Sequence, residues 1–248
     1  MLKCLFLPRP PLRAVSATLG TMRQPYETAL ATNNFVECLR ILNCNFKKHT
    51  AVATVHRYSL AVRQLCQMVG ETCPTECVLG LTHVADYHLH IGEYEEAHCM
   101  YDAAQAFCVH VADDQPCMKR ILRGHLPTCM SIYMSRPSPR MRARVASMFE
   151  RLMQCELSLR ERATVHRFCA EMHLLCSATA EAKKERETMY ACIGRSFDPV
   201  CSICLEDMQL DAPDTVVLPC FHTVHLQCCR VQRCPLCRCP VSRLKFNQ

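Results

Sequence analysis

Tryptophan is absent from this chain, glycine is scarce at six residues in 248, and aromatic residues make up 6%. No apolar run approaches the roughly 20 residues that a membrane helix needs, which excludes a helical span on sequence grounds. A convincing secretory signal is missing too. Leu5-Phe6-Leu7 is a short apolar core, and Pro8, Pro10 and Pro11 end it. Without an oxidising compartment, the 22 cysteines do not read as a disulfide framework. The expected setting is the cytoplasm, the nucleus or both, with cysteines outside any motif acting as small buried hydrophobes.

Acidic residues are missing from two stretches. Residues 1–25 carry Lys3, Arg9, Arg13 and Arg23 and no acid, which accounts for most of the net charge of +6. They read as a disordered basic leader upstream of a second start at Met22, with a mitochondrial transit peptide as the alternative. No acid occurs between Asp114 and Glu150, where Lys119, Arg120, Arg123, Arg136, Arg140, Arg142 and Arg144 lie. That run is a candidate patch for nucleic acid or an acidic protein. No aromatics are interleaved with it, so a solvated face is the expected reading and a nucleic-acid partner is not expected.

From about residue 26 to 195 the sequence has few glycines and apolar residues at helical spacing, such as Leu30, Phe35, Leu39, Leu42 and Phe46. Breaks carrying Gly, Pro, Asn, Asp or Ser fall near Asn43–Thr50, Gly70–Thr75, Ile91–Glu93, Ala112–Pro116, Ser135–Pro139 and Ser158–Arg160. They divide the region into about eight helices of roughly 14 to 20 residues. The segment Glu181 to Glu187, rich in Lys and Glu, reads as a solvated helix. One hairpin is more specific. Val84-Ala85, Gly92-Glu93-Tyr94, Ala97, Tyr101 and Ala104 resemble a tetratricopeptide repeat. Gly92 would end one helix, Tyr94 would pack between the two, and the alanines would allow close approach. The fold class expected is mainly α: helical hairpins forming a short solenoid or irregular bundle, followed by a small C-terminal zinc domain over residues 196–248.

The strongest signal is the spacing of eight cysteines and histidines from Cys201 to Cys237: Cys-x2-Cys, x15, Cys-x-His-x2-His-x2-Cys, x5, Cys-x2-Cys. Cys-x2-Cys turns aim two sulfurs at one point, and four such half-sites make two closed tetrahedral zinc sites. Closed sites are structural, so a metal here would fold the segment and not act on a substrate. The pattern resembles the RING finger family in its Cys/His/His variant, known as RING-H2. The resemblance implies alternating ligand pairs: Cys201, Cys204, His225 and Cys228 on one zinc, and Cys220, His222, Cys234 and Cys237 on the other. Cys229 and Cys239 would be bystanders.

Members of that family are ubiquitin ligases that bind a ubiquitin-charged conjugating enzyme (E2) and hold the thioester in an attack-ready conformation. By position, Ile203, Pro235 and Leu236 would contact the E2, and Arg238 would be the catalytic linchpin between E2 and ubiquitin. The helical region would recruit a protein substrate. Two departures stand out: the usual tryptophan is missing, and five residues separate the sixth and seventh ligands. The short spacer and the ending, with Phe246 near the terminus, are similar to C-terminal RINGs of the inhibitor-of-apoptosis type, which implies a homodimer through the RING and its tail. A non-catalytic adaptor and a zinc-dependent nucleic-acid binder are the other function classes considered.

Overall fold

The computed structural model describes residues 12, 16, 18–46, 52–70, 72–111, 115–229 and 233–241. Lys3, Arg9 and Arg13 of the basic leader, and Phe246 of the tail, lie outside the described residues. Nine α-helices run through them: α1 (Arg23–Ala31), α2 (Phe35–Phe46), α3 (Val52–Val69), α4 (Pro74–Ile91), α5 (Tyr94–Cys108), α6 (Gln115–Ser135), α7 (Pro139–Gln154), α8 (Leu159–Leu175) and α9 (Thr179–Ile193). A two-stranded antiparallel ribbon follows, β1 (Thr215–Val217) and β2 (Thr223–His225), in register Thr215↔His225, Val216↔Val224 and Val217↔Thr223. The protein is mainly α, as its glycine-poor, helically spaced sequence predicts.

Helix ends follow local chemistry. Pro74 opens α4, where its missing N–H costs nothing. Ser158 and Glu161 form a capping box on α8, with Ser158 Oγ accepting from Glu161 N at 3.3 Å and Glu161 Oε2 accepting from Ser158 N at 2.9 Å. Gly92 closes α4 at φ 85°, and a Cβ there would touch nothing within 4 Å, so its role is conformational. Two breaks are absent from the sequence expectation. Asn33 and Ser177 turn the chain at φ 54° and 58°, dividing α1 from α2 and α8 from α9. The apolar spacing from Leu30 to Phe46 therefore crosses a turn. Asn34 explains the restart, since its Oδ1 accepts from Glu37 N at 3.2 Å.

The chain forms two compact units, Met1–Met148 and Phe149–Gln248, dividing within α7. The expected boundary at 195/196 lies inside the second unit. Ordered structure also reaches into the expected leader, because α1 begins at Arg23 and Leu19 is buried.

In the first unit, α4 packs on α2, α3, α5 and α6, and α5 packs on α6. The hairpin α4–α5 buries Val84, Ala85, Ala97, Tyr101 and Ala104 completely. Tyr94 is only half-buried. On α6, Gly124 permits close approach, since a Cβ there would collide with the Tyr101 ring. The acid-free stretch finds its acids on other helices: Arg120 lies 3.8 Å from Asp86, Arg136 lies 3.9 Å from Glu95, and Arg144 pairs with Asp102. At least three of its seven cations thus meet carboxylates of α4 and α5.

In the second unit, α8 and α9 pack together and share a core with the ribbon. Ala163, Met189 and Tyr190 from the helices meet Val217 and Phe221. Arg186 on α9 is 2% exposed and donates to the carbonyls of Leu210 at 2.5 Å, Ala212 at 3.3 Å and Thr215 at 2.6 Å. Arg167 on α8 donates to Val217 O at 3.5 Å and to Glu171 at 3.1 Å. The Lys/Glu-rich segment of α9 is therefore solvated on one face only, since Ala182 and Arg186 lie inside. Replacing Arg186 with Ala removes the Arg186 donors from Leu210 and Thr215, while Ala212 O keeps Thr215 N at 3.2 Å, and is expected to destabilise the second unit by about 3 kcal/mol. Urea titration followed by NMR amide signals checks this: those of β1 and β2 should disappear earlier, while those of α4 and α5 keep their midpoint.

Candidate metal centres

The two Cys-x2-Cys segments fold into the same knuckle. In the first, Leu205 N donates to Cys201 O at 2.9 Å and Cys201 N donates to Glu206 O at 2.9 Å. In the second, Arg238 N donates to Cys234 O at 2.8 Å and Cys234 N donates to Cys239 O at 2.9 Å. Backbone bridges Val200↔Asp207 and Arg233↔Pro240 close the two loops. Each knuckle turns on the residue after its second cysteine: Leu205 at φ 63° and Arg238 at φ 57°. A side chain in that left-handed region costs about 1 kcal/mol, and the reversal folds both sulfurs to one side.

The remaining pairs come from the ribbon. Cys220 and His222 flank Phe221, whose φ of 66° makes the turn into β2, and Leu218 N donates to His222 O at 2.8 Å. His225 ends β2, and Cys228 lies on the short 3-10 turn Leu226–Cys228.

These elements bring Cys201, Cys204, His225 and Cys228 together, and separately Cys220, His222, Cys234 and Cys237. Within each group every donor atom lies within 4.8 Å of the others. His225 Nδ1 is 3.2 Å from Cys204 Sγ, and His222 Nδ1 is 3.5 Å from Cys234 Sγ. His225 Nε2 lies 3.2 Å from Asp207 O. A carbonyl only accepts, so Nε2 carries the proton and the Nδ1 lone pair faces the sulfurs. Cys201 and Cys234 anchor a small core with Met208, Leu218 and Val224. Either group could hold a metal ion through three sulfurs and one imidazole, a donor set that suits Zn²⁺.

The electrostatics fit a cation. Burial opposes the Cys201 thiolate, but N–H groups of Cys204, His225 and Ile203 and the Cys204 thiol bring it down to about 6. Burial, its thiol's hydrogen bonds to Cys204 and Cys201, and their like charge push Cys228 up to about 11. In the second group the Cys239 N–H leads in holding Cys237 down to about 6, while burial leads in raising Cys220 to about 12. Each group forms one thiolate readily and resists the next. A divalent ion at its centre would supply the charge that lets all three coexist.

Neither Cys229 nor Cys239 belongs to a group. Cys229 is half-buried, and burial raises its thiol. Ile203 and Leu236 stand at the knuckle tips, 39% and 55% exposed, and Pro235 and Arg238 are exposed beside Leu236. Motif spacing could not reveal the Asp207 carbonyl behind His225, because it acts through its backbone. Arg186 gave no signal either, since it sits among charged neighbours in sequence, and Arg167 gave none because its partner carbonyl on Val217 lies 50 residues away.

Replacing Leu205 with Gly should leave metal content unchanged and raise the thermal midpoint slightly, by relief of about 1 kcal/mol. Cys204→Ser should release one metal equivalent and lose the ribbon's dispersed NMR signals. Elemental analysis and NMR of the two variants check the pair. No protein-family model, curated protein or solved structure matches this chain.

Proposed function

We propose that the chain is a RING-type E3 ubiquitin ligase with two structural Zn²⁺ ions, whose helical first unit recruits a protein substrate. The observation that carries this reading is the pair of interleaved four-donor groups whose knuckles present exposed Ile203 and Leu236, with Arg238 directly after the last sulfur. Alternation of the groups along the chain ties residues 201 to 237 into a frame with only a small apolar core. Zn²⁺, held by Cys201, Cys204, His225 and Cys228 and by Cys220, His222, Cys234 and Cys237, would supply folding free energy on the order of 10 kcal/mol per site.

The protein's part in the reaction is positioning. Ile203, Pro235 and Leu236 offer an apolar patch for an E2 loop, and the Arg238 guanidinium offers a rigid fork of donors for carbonyls of E2 and ubiquitin. Restricting the ubiquitin tail lowers the entropic part of the barrier to attack by a substrate lysine on the thioester. No group in the frame acts as a nucleophile. Cys229, the free thiol beside it, is partly covered and raised, which does not suit a ubiquitin acceptor.

Arg238 offers a clean test, because φ 57° is a conformation glycine adopts freely. Arg238→Gly deletes the guanidinium without opposing the knuckle. With E1, ATP, ubiquitin and a panel of E2 enzymes, the native chain should build ubiquitin conjugates. Arg238→Gly and Ile203→Ala should each slow this at least about tenfold, the scale of one interface anchor, with metal content unchanged. Folded, metal-loaded native protein inactive with every E2 would sink the ligase reading and leave a zinc-dependent adaptor.

A further inference from the structure

Away from the C-terminal groups, three donors converge in the seam between α5 and α6. His98 Nδ1 lies 2.8 Å from His125 Nε2 and 3.5 Å from Cys129 Sγ. All three donor atoms fall within 4.8 Å of one another. His125 and Cys129 sit four residues apart on one helical face, and His98 approaches from the neighbouring helix. His125 and Cys129 are completely buried, and His98 is 16% exposed. We infer that His98, His125 and Cys129 form a third zinc site, which staples α5 to α6 in the first unit.

Hydrogen bonding alone does not account for the trio. The two facing ring nitrogens can share one proton, and the thiol contact is long. His125 Nδ1 is buried without a hydrogen-bond partner among the described residues. A shared proton joins only the two nitrogens, whereas one metal ion would engage both nitrogens and the Cys129 sulfur together; His125 Nδ1 is without a partner in either arrangement. The separations suit a small ion. With Zn–N near 2.0 Å and Zn–S near 2.3 Å, tetrahedral ligands stand roughly 3.3 to 3.6 Å apart, so widening the 2.8 Å nitrogen contact by about half an ångström admits the metal.

The surroundings are prepared as well. Asp102 Oδ2 lies 3.7 Å from His98 Nε2. A small rotation makes it the acceptor that fixes His98 in the Nδ1-ligating tautomer. Arg144 holds Asp102 from the other side. Three protein donors leave the fourth position to water. Two other donor groupings are weaker. His88 spends both ring nitrogens, on Glu93 at 2.6 Å and Ser59 at 3.3 Å. Beside Cys169 and His173, the Glu185 carboxylate already holds His166 at 2.6 Å.

The test counts zinc in the full-length protein, for the native chain and for Cys129→Ala and His98→Gln. Each variant should hold one equivalent fewer than the native chain while keeping its helical circular dichroism. Equal zinc in all three overturns the site. Because the readout is a difference, it stands whatever the C-terminal groups contain. Should a variant lose its helical signal, histidine side-chain nitrogen NMR of the native zinc-loaded chain decides. Unprotonated, metal-shifted His98 Nδ1 and His125 Nε2 support the site, and one proton shared between them overturns it.

Discussion

One buried guanidinium organises the second unit. Arg186 reaches from α9 into the loop before β1 and supplies donors to three carbonyls there. Burial lowers its pKa, with the Glu171 carboxylate the main opposing charge. The loop it grips makes few backbone bonds of its own, among them Thr215 N to Ala212 O at 3.2 Å, so the guanidinium supplies donors that the loop lacks. With the loop fixed, β1 can pair with β2. The ribbon then delivers Cys220, His222 and His225 to the knuckles. The helical hairpin α8–α9 and the cysteine-rich segment thus lie within one compact unit, Phe149–Gln248.

Much of the C-terminal site was legible from spacing. The spacing picks out eight donors as half-sites, and the fold gathers them into the two alternating sets that the resemblance to the RING family implied. Ile203 and Leu236 are exposed at the knuckle tips, whereas Ser202, inside the first turn, has its Oγ buried. Arg186 was not legible: it stands among lysines and glutamates, and its role depends on carbonyls 24 to 29 residues away. The helical region was legible in its class and most of its breaks. The turns at Asn33 and Ser177 carry residue types that do mark breaks, and at Asn33 the signal was overridden by apolar spacing that continues from Leu30 to Phe46 across the turn.

Charge shows the same limit. Absence of acids between Asp114 and Glu150 suggested an unbalanced patch, yet Asp86, Glu95 and Asp102 on α4 and α5 answer several of its cations. Sequence neighbours say little about spatial neighbours once helices pack side by side. The cysteine excess has a simpler explanation. Cys38, Cys66, Cys77 and Cys108 are essentially inaccessible and unbridged, filling the helical core as small apolar groups.

Leucine 205 and arginine 238 share a backbone conformation that disfavours both. Glycine would occupy these positions at ease and asparagine or aspartate at a smaller cost, while leucine and arginine carry the fuller handicap. Neither residue recovers that handicap through burial, since Leu205 is 77% exposed and Arg238 faces water. The isolated protein would gain from glycine at both places. What the fold takes from these two positions is the backbone reversal itself, and their side chains are left outside it, free of any packing duty.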